Sequence, residues 1–151
     1  MFTLPHLVGR SALVLTLIVA VWRGGRPERL GIAIVALGWV ATPIVERRQS
    51  WYEPQFGIMA VDAAILAAFV VIAFRYGRYW TLLAAGFQSI AVLTHFAFLI
   101  DPHALYRAYY FENYSIGFLI LGAIFGGAFI EGRRPYRQRP FPWLRPRSRS
   151  S

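Results

Sequence analysis

Cysteine and lysine are both missing from this 151-residue chain. Without cysteine there is no disulfide framework, no thiolate metal site and no thiol nucleophile. Acidic residues are scarce as well, seven against sixteen arginines. Only Asp62 falls well inside an apolar stretch, so the clustered acids of membrane phosphotransferases have no counterpart. No Gly-x-Ser-x-Gly, His-Glu-x-x-His or Walker glycine loop occurs, which removes the usual hydrolase, metalloprotease and nucleotide-driven readings. The expectation is a chain that is not an enzyme and carries no cofactor.

What is present is apolar. Hydrophobic residues make up 57% of the chain and aromatic residues 17%, with a mean hydropathy of +0.46. Five apolar stretches, 4–22, 30–45, 57–74, 79–100 and 114–130, each approach the roughly 20 residues that cross about 30 Å of hydrocarbon. The expected fold is all-α, a polytopic transmembrane helical bundle of five spans over residues 1–130. The first stretch is interrupted by Arg10, and Ser11 to Trp22 alone reaches only about 18 Å. Either Arg10 snorkels to the interface and the segment crosses, or it lies along the membrane and four spans remain. The sequence after Trp22 lacks a small-x-small cleavage pattern, so the first helix is read as retained.

The arginines alternate in density along the chain. Arg23, Arg26, Arg29, Arg75, Arg78 and the seven tail arginines fall on one side of such a bundle, whereas Arg10, Arg47, Arg48 and Arg107 fall on the other. The positive-inside rule then puts the C-terminus in the cytoplasm and, with five spans, the N-terminus outside. In a soluble protein a charge of +9 would suggest nucleic acid; at helix ends its first role is orientation, and no nucleic-acid partner is expected. Arg26-Pro27 marks one short turn and Arg75-Tyr76-Gly77-Arg78 a tight one that makes an antiparallel hairpin of the third and fourth helices. The longer connections, Glu46 to Phe56 and Asp101 to Asn113, are aromatic and read as loops carrying an interfacial belt, with a ligand-binding cap as the sharper alternative.

Small residues mark where helices should meet in lipid. Ala60, Ala64 and Ala68 on the third helix, and Gly122 and Gly126 on the fifth, are expected to pack helices inside the bundle, with a dimer face as the alternative. Residues 131–151 change composition to seven arginines, four prolines and three serines. This segment is expected to be a disordered cytoplasmic tail in which Arg133, Arg134, Arg137, Arg139, Arg145, Arg147 and Arg149 contact anionic lipid headgroups.

An ionisable residue inside a span is a functional hypothesis by default. Asp62 and His95 both lie about 7 Å below the same face of the bundle, and Gln88 shares a helix face with His95. Asp62, Gln88, His95 and Tyr114 are therefore expected to form one polar cluster. It is either a hydrogen-bonded pairing that holds two helices in register or a proton relay or small-ligand site. A metal held by His95, Asp101, His103 and Glu112 matches no compact ligand spacing, so no metal is expected.

Ala85-Gly-Phe-Gln88, Thr94-His95, Asp101-Pro102 and the tyrosine-rich stretch after them resemble small multispanning proteins of alphaproteobacteria without an assigned activity, over about residues 51–130. The resemblance implies a bacterial inner membrane and assigns no functional residue. Three functions are in contention: an accessory or assembly subunit of a membrane complex, a small proton-coupled transporter using Asp62 and His95, and a phage-type membrane-permeabilising protein. The partners expected are anionic lipid and other membrane subunits.

Overall fold

The computed structural model describes the backbone of residues 4–46, 55–100 and 102–132, and the side chains of 8–46, 55–100 and 115–132. Among the described residues the chain is all helical: α1 (Leu4–Trp22), α2 (Arg26–Val45), α3 (Phe56–Tyr76), α4 (Tyr79–Ile100) and α5 (Pro102–Ile130). Three of these, α2, α3 and α4, are long and apolar enough to cross a membrane; the described apolar parts of α1 and α5, Val8–Trp22 and Ser115–Ile130, are shorter. The helices run alternately up and down. One end of the molecule therefore gathers the α1–α2 turn, the α3–α4 turn and the C-terminus of α5, and is called the turn end below.

The local chemistry explains the boundaries. Gly77 ends α3 in the left-handed region at φ 61°, and its N–H donates to the carbonyl of Ala73 at 2.9 Å, so the tight hairpin falls where the sequence places it. Thr81 Oγ1 donates to the Arg78 carbonyl at 2.6 Å and fastens the first turn of α4. α2 starts at Arg26 rather than near Leu30, because Pro27 suits a first helical turn and Glu28 caps it. Near its other end Pro43 removes one donor, yet α2 continues to Val45.

The largest departure from expectation is α5. The stretch 101–113, expected as a loop, is helical from Pro102 onward. Proline is tolerated in the first turn, and no glycine or second proline interrupts the chain until Gly117. The aromatic residues that suggest a belt loop are compatible with a helix, whose total length of 29 residues is about 43 Å. Residues 47–54, expected as a loop, and those beyond 132, expected as a disordered tail, lie outside the described residues.

α4 is the hub, packing most extensively on α5 and then α3, while α2 packs on α3 and α1 on α5. Phe69, Trp80, Ala84 and Ile124 form the centre of the core with Ile32, Val35 and Ile120. Within one chain the closest helix approaches do not fall on the alanine and glycine rows that the sequence suggests. Ala60, Ala64 and Gly122 are exposed, Ala68 and Gly126 are half-buried, and a Cβ at Gly122 or Gly126 would meet nothing within 4 Å. The reason is rotational. Asp62 and Phe69, seven apart, both point into the bundle, and at about 100° per residue Ala60 and Ala64 lie about 200° away. Close approach occurs instead at Gly31, Gly38 and Gly127, where an added Cβ would run into Trp80 or Ile65.

Candidate functional site

Two carboxylates, one half-buried and one fully buried, organise the polar interior. The first is Asp62, seventh residue of α3. Its Oδ1 accepts a hydrogen bond from Gln88 Nε2 at 2.9 Å, and the same amide lies 3.2 Å from the Asp62 carbonyl. Its Oδ2 lies 2.9 Å from His95 Nε2. At that separation the two side chains are hydrogen-bonded, with the donor and acceptor set by the histidine tautomer. The i and i+7 spacing of Gln88 and His95 puts both on the buried face of α4, with the small, buried Ala91 between them. The Asp62 side chain keeps 16% of its surface exposed, against 7% for His95. The geometry thus unites three of the four residues named from the sequence. Tyr114 falls in α5, and its side chain lies outside the described residues, as do those of His103 and Glu112 and the whole of Asp101.

The second carboxylate is one that sequence reasoning misses. Glu28 has no exposed surface. Its Oε2 accepts the Gly25 N–H at 2.7 Å, half of a capping box, and its Oε1 accepts the Trp80 indole N–H at 2.8 Å. Trp80 is seated between glycines of two other helices: a Cβ at Gly31 would stand 2.6 Å from its ring, and one at Gly127 would overlap it. Phe69 meets the same ring edge-on, centroids 6.4 Å apart. A carboxylate, an indole and two glycines therefore join α2, α4 and α5 at the turn end. The sequence signal is Gly25-Arg-Pro-Glu28, a cap without the usual serine or threonine.

Around this lock three arginines of the turn end bind neighbouring groups, Arg78 from a buried position, Arg23 from a half-buried one and Arg29 from the surface. Arg78, only 6% exposed, donates through Nη1 to the Glu131 carbonyl and lies 3.8 Å from that residue's carboxylate. Arg29 Nη2 donates to the Val21 carbonyl at 2.8 Å, satisfying one of the last acceptors of α1. The guanidinium of Arg23 stands 4.6 Å over the Phe129 ring. Among the described residues no group of three histidine, cysteine or acidic side chains could hold a metal ion. The tail arginines Arg133, Arg134, Arg137, Arg139, Arg145, Arg147 and Arg149 lie outside the described residues.

No family model, curated protein or solved structure matches this chain.

Proposed function

We propose that this chain is a multispanning protein of a bacterial inner membrane, with its C-terminus cytoplasmic, that serves as a non-catalytic accessory or assembly subunit of a membrane complex. The observation that carries this reading is that the two interior carboxylates are taken up by the protein itself. Both oxygens of Asp62 and both of Glu28 are engaged by groups of neighbouring helices or turns. In hydrocarbon such contacts are worth about 0.6 to 2 kcal/mol each and act chiefly to fix helix partners and register. Three apolar helices of crossing length and the crowding of arginine at the turn end support the membrane reading and its orientation.

A second reading is favoured by one specific contact. The hydrogen bond between His95 and Asp62, on a carboxylate that keeps some exposure, is what a proton-coupled carrier would use. Mild-detergent affinity purification of the full chain with mass spectrometry, repeated on Asp62→Asn, separates the two. Stoichiometric partners retained by the variant support the subunit. A solitary protein whose loss phenotype is reproduced by Asp62→Asn supports the carrier. Because the chain has no cysteine, a single cysteine placed at Ser150 reports orientation directly: labelling by an impermeant maleimide only after cell lysis is the expected result.

A further inference from the structure

The Arg23 side chain is fixed in place yet donates no hydrogen bond among the described residues. Its backbone N–H closes α1 on the Val19 carbonyl at 2.8 Å, and its guanidinium lies over Phe129 of α5. Its Nε is buried without a partner. Its neighbours at the turn end are committed elsewhere, Arg29 to the Val21 carbonyl and Arg78 to Glu131. The nearby Glu28 carboxylate is already filled by Gly25 and Trp80. A guanidinium oriented by a ring, with donors left over, is the arrangement that accepts an oxyanion in bidentate fashion. The residue before it, Trp22, is 73% exposed, an apolar ring with a polar N–H of the sort that settles at a lipid headgroup boundary. Arg26, three residues on, is exposed and adds a second cation.

We propose that the α1–α2 turn binds the phosphate of an anionic phospholipid, with Arg23 as the bidentate donor and Arg26 as the supporting charge, the headgroup resting between the turn and the end of α5. This rests on the membrane reading above. It differs from diffuse attraction of lipid to the tail arginines in assigning one site within the folded part of the chain.

The test is native mass spectrometry of the delipidated full-length protein in mild detergent, titrated with phosphatidylglycerol. The wild type is expected to hold one lipid in preference to phosphatidylcholine. Arg23→Gln is expected to weaken that binding roughly tenfold, the scale of a lost charge-assisted hydrogen bond. Arg23→Lys, which keeps the charge and loses the planar fork, should also weaken it, and the exposed Arg26→Gln provides a variant with no packing to lose. Arg75→Gln, at the same end on α3, should leave binding within about threefold. Equal losses for Arg75→Gln and Arg23→Gln, retention of lipid by both Arg23→Gln and Arg26→Gln, or equal uptake of phosphatidylcholine would overturn the site. Displacement of the lipid by inorganic phosphate at equal concentration would reassign it to a free anion. Alkaline carbonate extraction of the native membranes reports on the membrane reading separately, since release of the protein there defeats that reading whatever the lipid titration gives.

Discussion

Replacing Glu28 by glutamine keeps nearly the same size and removes the charge, so burial alone would favour the change in a site with no exposed surface. The geometry predicts the opposite. Two N–H donors, from Gly25 and from the Trp80 indole, converge on the two carboxylate oxygens at 2.7 and 2.8 Å. A carboxylate meets both; an amide can accept from one and must present its own NH2 to the other. Glu28→Gln therefore leaves a buried donor facing a donor, at a cost of about 1 to 3 kcal/mol. Trp80→Phe should cost a similar amount from the opposite side, with an added term for the indole volume that Gly31 and Gly127 make room for.

The two changes should not add. With the indole N–H gone, the amide introduced by Glu28→Gln can turn its oxygen to Gly25 without opposition, so the double variant is expected to cost less than the sum by about 1 to 2 kcal/mol. The assay is reversible unfolding of the full chain in mixed micelles of a mild detergent and dodecyl sulfate, followed by tryptophan fluorescence for the Glu28 variant and by circular dichroism throughout. A Glu28→Gln protein within about 0.5 kcal/mol of wild type, or strict additivity of the pair, would refute the reasoning.

Glycines at two positions of α5 should respond oppositely to the same change. Gly127→Ala overlaps the Trp80 ring and is expected to lose about 1 to 3 kcal/mol by overpacking, whereas Gly122→Ala, facing open space, should be neutral or gain up to about 1 kcal/mol from helix propensity; the same micelle titration compares them. Gly77→Ala forces a left-handed residue at φ 61° and should cost about 1 to 2 kcal/mol, with Gly77→Asn recovering part of it. Asp62→Asn can still accept from Gln88 and offer its NH2 to a neutral His95, so it should stay within about 1 kcal/mol of wild type. Asp62→Leu strands both partners and should cost about 2 kcal/mol or more, read as a lowered unfolding midpoint.

How far these contacts can be read from the sequence depends on whether spacing alone decides them. The Asp62 cluster is legible because a tight turn at Gly77 fixes an antiparallel hairpin. Counting outward from that turn brings position 62 level with the α4 positions between 88 and 95. The small-residue rows mislead because spacing says which residues share a face but not which way the face points. Asp62 and Phe69 take the inward direction on α3, and the alanines two residues from Asp62 are turned outward as a consequence. Glu28 is hidden for a different reason. A glutamate beside Arg26 and Arg29 at a helix start looks like a solvated charge, and only the tertiary approach of Trp80, 52 positions later, closes over it. The first half of α5 is obscured by its aromatic content, which resembles a membrane-interface loop in composition and is nonetheless free of helix breakers.

The placement of the two carboxylates along α4 bears on the choice between a subunit and a carrier. Trp80 and Gln88 lie eight residues apart on the buried side of α4, about 12 Å along its axis. The buried residues between them are Thr81, whose hydroxyl donates to the Arg78 carbonyl, and Ala84, which has no exposed surface. Phe69 covers the same level from α3. The Asp62–His95 pair is thus separated from Glu28 by apolar packing along the α4 face, over a distance far beyond hydrogen-bond reach. Two separate clamps on one helix, one joining α4 to α3 and the other joining it to α2, hold α4 at both ends. Turning α4 by even one residue would rotate Trp80, Gln88 and His95 together by about 100° and break both clamps at once. A carrier that rocks α4 against its neighbours would have to break at least one of them in each cycle, whereas a subunit that presents a fixed surface is served by keeping both closed. Locking α3 to α4 with a cysteine pair at the Asp62 level, introduced into a chain that has no other cysteine, should therefore leave the function intact; its abolition on oxidation, with recovery on reduction, would reverse the preference.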